Sequence, residues 1–280
     1  MIRLVCIDVD GTLVGSSGTV DPAVWRTAEL VRAAGIRLAV CSGRPAFGVA
    51  REYAERLDAD GWHSFQNGAS VVHLASGRTR SSRLAPESVT MLVERARDTG
   101  RLLELYSDDD YAFEQGSDRA RAHAGLLGVR FNPRPFEALE GPVVRAQWLV
   151  PRSEAKGVLA EPHPGLEVSP STSPVMPETL FVNLTAQGVD KATAVRVLAG
   201  EYGLSLGEVM FVGDGANDAP ALRVVGCAVA MGNAQGEARE AAMRTVGHVD
   251  EGGLVDALDL ALELALARTP STCSSPAVGS

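Results

Sequence analysis

The chain has 280 residues, 22% of them charged and 45% hydrophobic, and its 26 basic and 35 acidic residues give a formal charge of −9. Such a chain has enough apolar surface to bury a core, which excludes disorder throughout. The acidic balance argues against a nucleic-acid-binding protein, which needs a basic face. Apolar runs fall short of the about 18 residues of a membrane span, and the first residues lack a secretory signal. We predict a cytoplasmic protein with no membrane or nucleic-acid partner.

The first part of the chain predicts parallel strands joined by helices. Leu4 to Ile7 is a short apolar run that acidic residues and a glycine end, which is typical of a strand buried on both faces. Asp21-Pro22 predicts a helix start, and Gly35 predicts its end. Residues 36–40 form a second apolar run, and Pro45 predicts the start of another helix. This alternation indicates βαβ units and an α/β fold.

The middle of the chain has a different pattern of residues from the first part. From about residue 83 to 182, apolar or alternating strands are interleaved with polar helices and many prolines. The helix and strand alternation then resumes and ends in an apolar helix. We predict an α/β core domain from residues 1–82 and 183–268, an inserted α+β domain from 83–182, and a disordered Pro/Ser-rich tail at 269–280.

The end of the first predicted strand carries two carboxylates, Asp8 and Asp10, followed by Gly11. Residues two apart at the carboxyl end of a parallel strand can both face the crevice where open α/β sheets bind ligands. Two carboxylates there are costly unless a cation neutralises them or they share a proton. Gly11 allows a sharp exit from the strand, so the motif predicts a site, although Asp-Gly is also a common turn pair.

A second acidic turn follows a later apolar strand, residues 209–212. It contains Asp214, Asn217 and Asp218 within a Gly-rich segment. Carboxylate and amide oxygens suit a hard cation such as Mg²⁺. The alternative interpretation is a solvated turn.

Two further segments indicate phosphate chemistry. Ser42, Gly43 and Arg44 follow the second predicted strand at the expected helix start, where backbone N–H groups and a hydroxyl favour an anion. Lys191 begins a predicted helix, where its charge opposes the helix dipole. Only two of the 26 basic residues are lysines, Lys156 and Lys191, and an ammonium supplies a compact charge that arginine does not.

Together these segments resemble a known family. DVDGT, CSGR, the lysine at a helix start and GDGAND, in that order, are similar to the four motifs of the haloacid dehalogenase superfamily of phosphatases. The spacing resembles its Cof-type branch, in which an α/β cap is inserted between the second motif and the lysine. Asn67 begins an Asn-Gly-Ala turn similar to one common in that branch. The resemblance implies a Rossmann-like, doubly wound parallel-sheet core with an inserted α+β cap.

The resemblance also implies roles for the acidic residues. Asp8 would be the nucleophile that forms an aspartyl-phosphate, and Asp10 would act as general acid and then base. Mg²⁺ would be held by Asp8, the backbone carbonyl of Asp10 and Asp214, with Asp218 holding or orienting the site.

The remaining motif residues would contact the substrate. Those expected at the phosphoryl group or the substrate are Gly11, Ser42, Gly43, Arg44, Asn67, Lys191 and Asn217.

The predicted function is a Mg²⁺-dependent phosphatase that hydrolyses small phosphorylated metabolites, sugar or polyol phosphates, through an aspartyl-phosphate. Two alternatives stay open. One is a phosphomutase of the same superfamily, although mutases there carry a different serine motif. The other is a non-catalytic Rossmann-like regulatory module, for which the first turn lacks the expected GxGxxG pattern. The sequence does not indicate the oligomeric state.

Overall fold

The computed structural model describes residues 1–173 and 175–266, so the predicted tail at 269–280 lies outside the described residues. The strands are β1 (Leu4–Ile7), β2 (Arg37–Val40), β3 (Trp62–Phe65), β4 (Ser70–His73), β5 (Arg78–Thr79), β6 (Leu103–Tyr106), β7 (Tyr111–Ala112), β8 (Arg145–Pro151), β9 (Leu166–Ser171), β10 (Thr179–Ala186), β11 (Val209–Gly213), β12 (Cys227–Ala230) and β13 (Arg244–Thr245). The α-helices are α1 (Pro22–Ala33), α2 (Val49–Asp58), α3 (Pro86–Thr99), α4 (Asp118–Leu127), α5 (Ala155–Ala160), α6 (Lys191–Glu201), α7 (Ala219–Leu222), α8 (Gly236–Ala241) and α9 (Gly253–Leu266).

A parallel sheet forms the core, with strand order β13-β12-β11-β1-β2. Helices α1, α2 and α9 pack on one face, and α6, α7 and α8 pack on the other. All four residues of β1 are buried, as expected of a strand covered on both sides. The predicted doubly wound α/β fold is therefore confirmed. The chain leaves β1 toward β2 on one side and returns at β11 on the other, which makes a switch point where such sheets bind ligands.

The predicted helix start at Asp21-Pro22 is confirmed, whereas the predicted start at Pro45 is wrong. Asp21 caps α1 by accepting a hydrogen bond from the Ala23 N–H at 2.7 Å. Helix α2 begins at Val49, not at Pro45. Gly48 has a φ of +65°, outside the helical region, and a Cβ there would lie 2.1 Å from the Leu127 carbonyl oxygen.

A second five-stranded sheet, which we call the cap sheet, is antiparallel with strand order β7-β6-β8-β10-β9. It has its own apolar clusters, to which α3 and α4 contribute. Strand β10 pairs with cap strands from Thr179 to Ala186, so the predicted boundary at 182–183 falls inside it. The division of the chain into domains stays a prediction.

A small antiparallel sheet, β3-β4-β5, follows α2. Within residues 1–173 and 175–266, no helix combines the length and the apolar character needed to cross a membrane.

Candidate active site

The two acidic motifs meet at the carboxyl edge of the core sheet. Strands β1 and β11 are neighbours in parallel register, with Ile7 opposite Val212, so the residues that follow them lie side by side. Asp8, Asp214 and Asp218 each place a carboxylate oxygen within 4.8 Å of the other two. The pairing of two apolar strands thus brings together carboxylates that are more than 200 residues apart in sequence.

Lys191 reaches this cluster from the start of α6. The Asp190 side chain accepts a hydrogen bond from the Thr193 N–H at 2.8 Å, and the Thr193 hydroxyl accepts one from the Asp190 N–H, which fixes the helix start. The buried Lys191 Nζ donates to Asp8 Oδ1 at 2.7 Å and to Asp218 Oδ1 at 2.5 Å. The ammonium therefore bridges the predicted nucleophile and the second motif.

Asp218 is held from both sides. Its Oδ1 accepts from Lys191, and its Oδ2 accepts from the backbone N–H groups of Asp214 at 3.0 Å and Gly215 at 2.9 Å. These bonds fold the acidic turn around the Asp218 carboxylate. The side chain orients both the turn and the lysine.

The cluster contains more carboxylates than cationic groups, and this excess shifts their pKa values. Burial, together with the charges of Asp218 and Asp214, raises the pKa of Asp8 well above its ordinary range. Burial and the Asp218 charge raise the pKa of Asp214 to about 7. Burial alone would lower the pKa of Lys191, but the charges of Asp218 and Asp8 raise it overall. Three carboxylates face one ammonium, so the cluster favours additional positive charge.

The donor set fits a hard divalent cation, since it consists of carboxylate oxygens close enough to share one ion. Gly11 provides room for it, because its φ is +86° and a Cβ there would lie 2.3 Å from Asp214 Oδ2. The Asp214 carboxylate is oriented by the Thr12 hydroxyl at 2.8 Å and by Asn233 Nδ2 at 3.3 Å. The motif reasoning did not single out Thr12 or Asn233, and Asn233 lies on a different loop.

Asp10 lies next to Asp8 but is paired with Arg44. The guanidinium donates from Nε to Asp10 Oδ2 at 2.9 Å and from Nη2 to Asp10 Oδ1 at 2.6 Å. Its Nη1 donates to the carbonyl oxygen of Leu126, near the end of α4, at 3.1 Å. Arg44 therefore connects the predicted general acid to helix α4.

The predicted phosphate-binding loop lies farther from a helix than expected. Because α2 begins at Val49, Ser42 and Gly43 lie in a loop before it and not at a helix N-terminus. The buried Ser42 hydroxyl accepts a hydrogen bond from the Arg44 N–H at 3.1 Å. The local structure is thus a side-chain-capped turn beside the strand end.

Asn67 and Asn217 meet across the site. Asn217 Nδ2 donates to Asn67 Oδ1 at 3.0 Å, whereas the buried Asn67 Nδ2 has no partner in the described part of the chain. The Asn67 backbone has a φ of +54°, in the left-handed region that asparagine tolerates. Two predicted substrate-side residues are therefore in direct contact.

A cavity of about 300 Å³ opens at this edge of the core sheet. The predicted site residues on its wall are Asp8, Asp10, Gly43, Arg44, Asp214 and Asn217. The other predicted residues, which contact this set without forming the wall, are Gly11, Ser42, Asn67, Lys191 and Asp218.

The cap sheet and helix α4 supply the opposite wall, which the sequence reasoning missed. Arg145 and Gln147 of β8, Asn183 of β10 and His123 of α4 all line the cavity. A signal was present in the sequence, because Arg145 and Gln147 are polar residues two apart within the apolar run 143–150.

Comparison with known proteins agrees with this geometry. The sequence matches the haloacid dehalogenase-like hydrolase family over residues 5–258. It is 26% identical to "Putative phosphatase YxeH" of Bacillus subtilis (strain 168), covering 96% of this chain and 100% of that protein. It is 25% identical to 5-amino-6-(5-phospho-D-ribitylamino)uracil phosphatase YbjI of Escherichia coli (strain K12), covering 94% and 97%.

The fold is shared as well. The structure superposes on a haloacid dehalogenase-like hydrolase from Bacteroides thetaiotaomicron with a TM-score of 0.81 and 27% identity, covering 93% of this chain and 99% of that one. The resemblance seen in the four motifs is confirmed, and the chain belongs to the haloacid dehalogenase-like hydrolases, in their Cof-type branch, as an enzyme of the phosphoric monoester hydrolase class.

Proposed function

We propose that the chain is a Mg²⁺-dependent phosphatase that hydrolyses small phosphorylated metabolites, sugar or polyol phosphates, through an aspartyl-phosphate on Asp8. The observation that carries this proposal is the placement of the Asp8 carboxylate. It lies on the cavity wall, between the Lys191 ammonium and the Asp214 carboxylate. A carboxylate that is buried yet open to a cavity is suited to attack a bound phosphate.

Asp8 attacks with Oδ2, the carboxylate oxygen that does not accept a hydrogen bond from Lys191. Oδ1 accepts from Lys191, and none of the described residues donates a hydrogen bond to Oδ2. A bond forms between Asp8 Oδ2 and phosphorus while the bond from phosphorus to the ester oxygen breaks. Lys191 stays protonated and offsets the charge of the phosphoryl oxygens.

Asp10 moves the protons of both steps. It gives a proton to the leaving alcohol as the ester bond breaks. As a carboxylate, it then takes a proton from the water that attacks phosphorus, which releases inorganic phosphate and restores Asp8. Arg44 must release Asp10 for the first step, since both carboxylate oxygens of Asp10 accept hydrogen bonds from the guanidinium.

Asp8, the backbone carbonyl of Asp10 and Asp214 would hold the Mg²⁺. When bound, the ion supplies the positive charge that lets a carboxylate approach a dianionic phosphate. Asp218 orients Lys191 and the acidic turn, because both of its oxygens already accept hydrogen bonds from protein groups.

The remaining motif residues bind the phosphoryl group and the nearby part of the substrate. Asn217 lines the cavity, so its amide can donate to a phosphoryl oxygen once it leaves Asn67. Gly43 lets the loop pass close to the ligand, and the Ser42 hydroxyl lies next to it. Gly11 keeps the backbone clear of Asp214.

The substrate class is supported by the cavity and by one relative. A cavity of about 300 Å³ admits a small metabolite. YbjI is named for a phosphorylated ribityl compound, which is a polyol phosphate. The free thiols of Cys6, Cys41 and Cys227 agree with action in the reducing cytoplasm. Residues 83–182 would form the cap domain that closes over residues 1–82 and 183–268.

The test is the Asp8→Asn variant. It removes the nucleophile with little change in volume, so hydrolysis of p-nitrophenyl phosphate with Mg²⁺ should fall at least about a thousandfold. Circular dichroism and thermal melting should show an intact fold. Asp60→Asn, at an exposed position, is the matched control and should keep full activity. Retained turnover in Asp8→Asn would overturn the mechanism.

The reaction products distinguish a phosphatase from a phosphomutase. A phosphatase releases inorganic phosphate, whereas a phosphomutase yields an isomeric phosphate ester. If the purified protein with Mg²⁺ hydrolysed no member of a panel of sugar, polyol, nucleotide and glycerate phosphates, a regulatory module would become the better interpretation.

A further inference from the structure

The cap wall of the cavity carries polar atoms that lack partners. Arg145 and Gln147 are two residues apart on β8, so their side chains share one face of the strand. Both line the cavity. Arg145 Nη2 and Gln147 Oε1 are buried without a hydrogen-bond partner among residues 1–173 and 175–266. Since buried polar groups are normally bonded, these atoms point to polar groups of a ligand.

The Arg145 guanidinium is bonded only to neutral acceptors. Nε donates to Gln66 Oε1 at 2.9 Å, and Nη1 donates to the Gly43 carbonyl oxygen and to Asn183 Oδ1, each at 2.8 Å. The side chain is 1% exposed. A buried cation ordinarily has an anionic partner, and within the described chain Arg145 forms an ion pair with no carboxylate.

The charge of Glu104 acts on Arg145, but neither Glu104 oxygen accepts a hydrogen bond from the guanidinium, and Oε1 has no hydrogen-bond partner among the described residues. Its Oε2 accepts from the Tyr106 hydroxyl and from His123 Nδ1, the latter at 2.8 Å. The Arg145 guanidinium carbon lies 4.0 Å from the centre of the Tyr106 ring. Burial lowers the pKa of Arg145, and Tyr106 and the charge of Glu104 offset only part of that effect. The contacts leave Arg145 Nη2 without a hydrogen-bond partner among the described residues.

His123 adds another polar side chain to the same wall. Its Nδ1 is hydrogen-bonded to Glu104 Oε2 at 2.8 Å, which leaves Nε2 as the ring nitrogen that can contact a ligand. The side chain lines the cavity, as does Gln147. An amide and an imidazole beside one cation suit a molecule that has hydroxyl groups and one anionic end.

Building on the proposed phosphatase function, we propose that Arg145 binds a second anionic group of the substrate, remote from the ester that is hydrolysed. That group is a carboxylate or another phosphate. Gln147 and His123 form hydrogen bonds with hydroxyls along the carbon chain. The substrate class is thus a phosphorylated sugar acid or a sugar bisphosphate, and a sugar monophosphate with a neutral far end is a poor substrate.

The test compares four esters at saturating Mg²⁺. These are p-nitrophenyl phosphate, glucose 6-phosphate, 6-phosphogluconate and fructose 1,6-bisphosphate. We expect kcat/KM to be at least about tenfold higher for one of the two substrates with a second anion than for glucose 6-phosphate. The preferred one identifies the second group as carboxylate or phosphate.

Variants assign the preference to Arg145. Arg145→Gln should lose at least about tenfold more kcat/KM on the preferred substrate than on p-nitrophenyl phosphate, which has no second anionic group. Arg145→Lys should keep part of the preference. Arg101→Gln is the matched control. Its guanidinium lies 5.3 Å from the Trp148 ring centre, but it pairs with Glu161 and does not line the cavity.

Binding is measured separately from turnover. Isothermal titration of the Asp8→Asn variant with 6-phosphogluconate, fructose 1,6-bisphosphate and glucose 6-phosphate should show tighter binding of one of the two compounds that have a second anion. In the double variant that also carries Arg145→Gln, this difference in affinity should disappear. Equal binding of all three, or an equal loss on all four esters in Arg145→Gln, would overturn the inference. Selective binding without hydrolysis of any ester would support it and refute the phosphatase function.

Discussion

Lys191 offers the sharpest perturbation of the site. The Lys191→Met substitution removes the ammonium that Asp8 and Asp218 share at 2.7 and 2.5 Å, in a place where all three side chains are at least nine-tenths buried. Removing one partner of a buried ion pair costs roughly 3–5 kcal/mol, because the other charge is left unpaired. We therefore expect a large loss in the free energy of unfolding, measured by urea denaturation in the absence of divalent ions.

Lys191→Arg separates charge from shape. The guanidinium keeps the positive charge but is wider and planar. Because Lys191 Nζ lies 2.7 Å from Asp8 Oδ1 and 2.5 Å from Asp218 Oδ1, we expect the larger group to displace one of these carboxylates. Turnover of p-nitrophenyl phosphate should fall by at least about a hundredfold, the scale of losing one placed donor at a transition state. Lys156→Arg, the same change at an exposed position, should have no effect. Near-normal turnover in Lys191→Arg would refute the reasoning.

Three other predictions concern the metal site and the core. In Gly11→Ala, a Cβ would lie 2.3 Å from Asp214 Oδ2, so the Mg²⁺ concentration for half-maximal activity should rise at least about tenfold. An unchanged Mg²⁺ titration would contradict the role of Gly11 in keeping the backbone clear of Asp214. EDTA should abolish activity and added Mg²⁺ restore it without a change in circular dichroism; activity that survives chelation would exclude a required metal. Burial lowers the pKa of His63 to about 4, so below its ordinary value of about 6.5 the unfolded chain binds a proton that the folded one does not. The free energy of unfolding should therefore fall by up to roughly 3 kcal/mol as the pH drops from about 6.5 to about 4. Urea titrations should show a smaller fall in His63→Gln, and an equal dependence on pH in the two proteins would refute the assignment of this effect to His63.

The core of the site was predictable because it follows from strand pairing and local capping. Two apolar strands, each ending in acidic residues, pair in parallel with Ile7 opposite Val212, which sets Asp8 beside Asp214. The Asp190 and Thr193 capping interaction is a local signal that fixes where the helix of Lys191 begins.

The start of α2 and the cap wall were not predicted, for different reasons. Pro45 is a common first residue of a helix, but the positive φ of Gly48 and its approach to the Leu127 backbone delay the helix to Val49. That approach is a contact between segments distant in sequence. The environment of Arg145 depends in the same way on how the cap sheet faces the core, which alternation along one strand does not specify.

The most direct test of the central claim is the stereochemical course at phosphorus. Transfer to Asp8 and then to water involves two in-line displacements, each with inversion, so a phosphorothioate ester made chiral with heavy oxygen isotopes should, in isotopically labelled water, yield chiral inorganic thiophosphate with net retention. Net inversion would mean that water attacks the ester directly, and it would contradict the role of Asp8 as nucleophile.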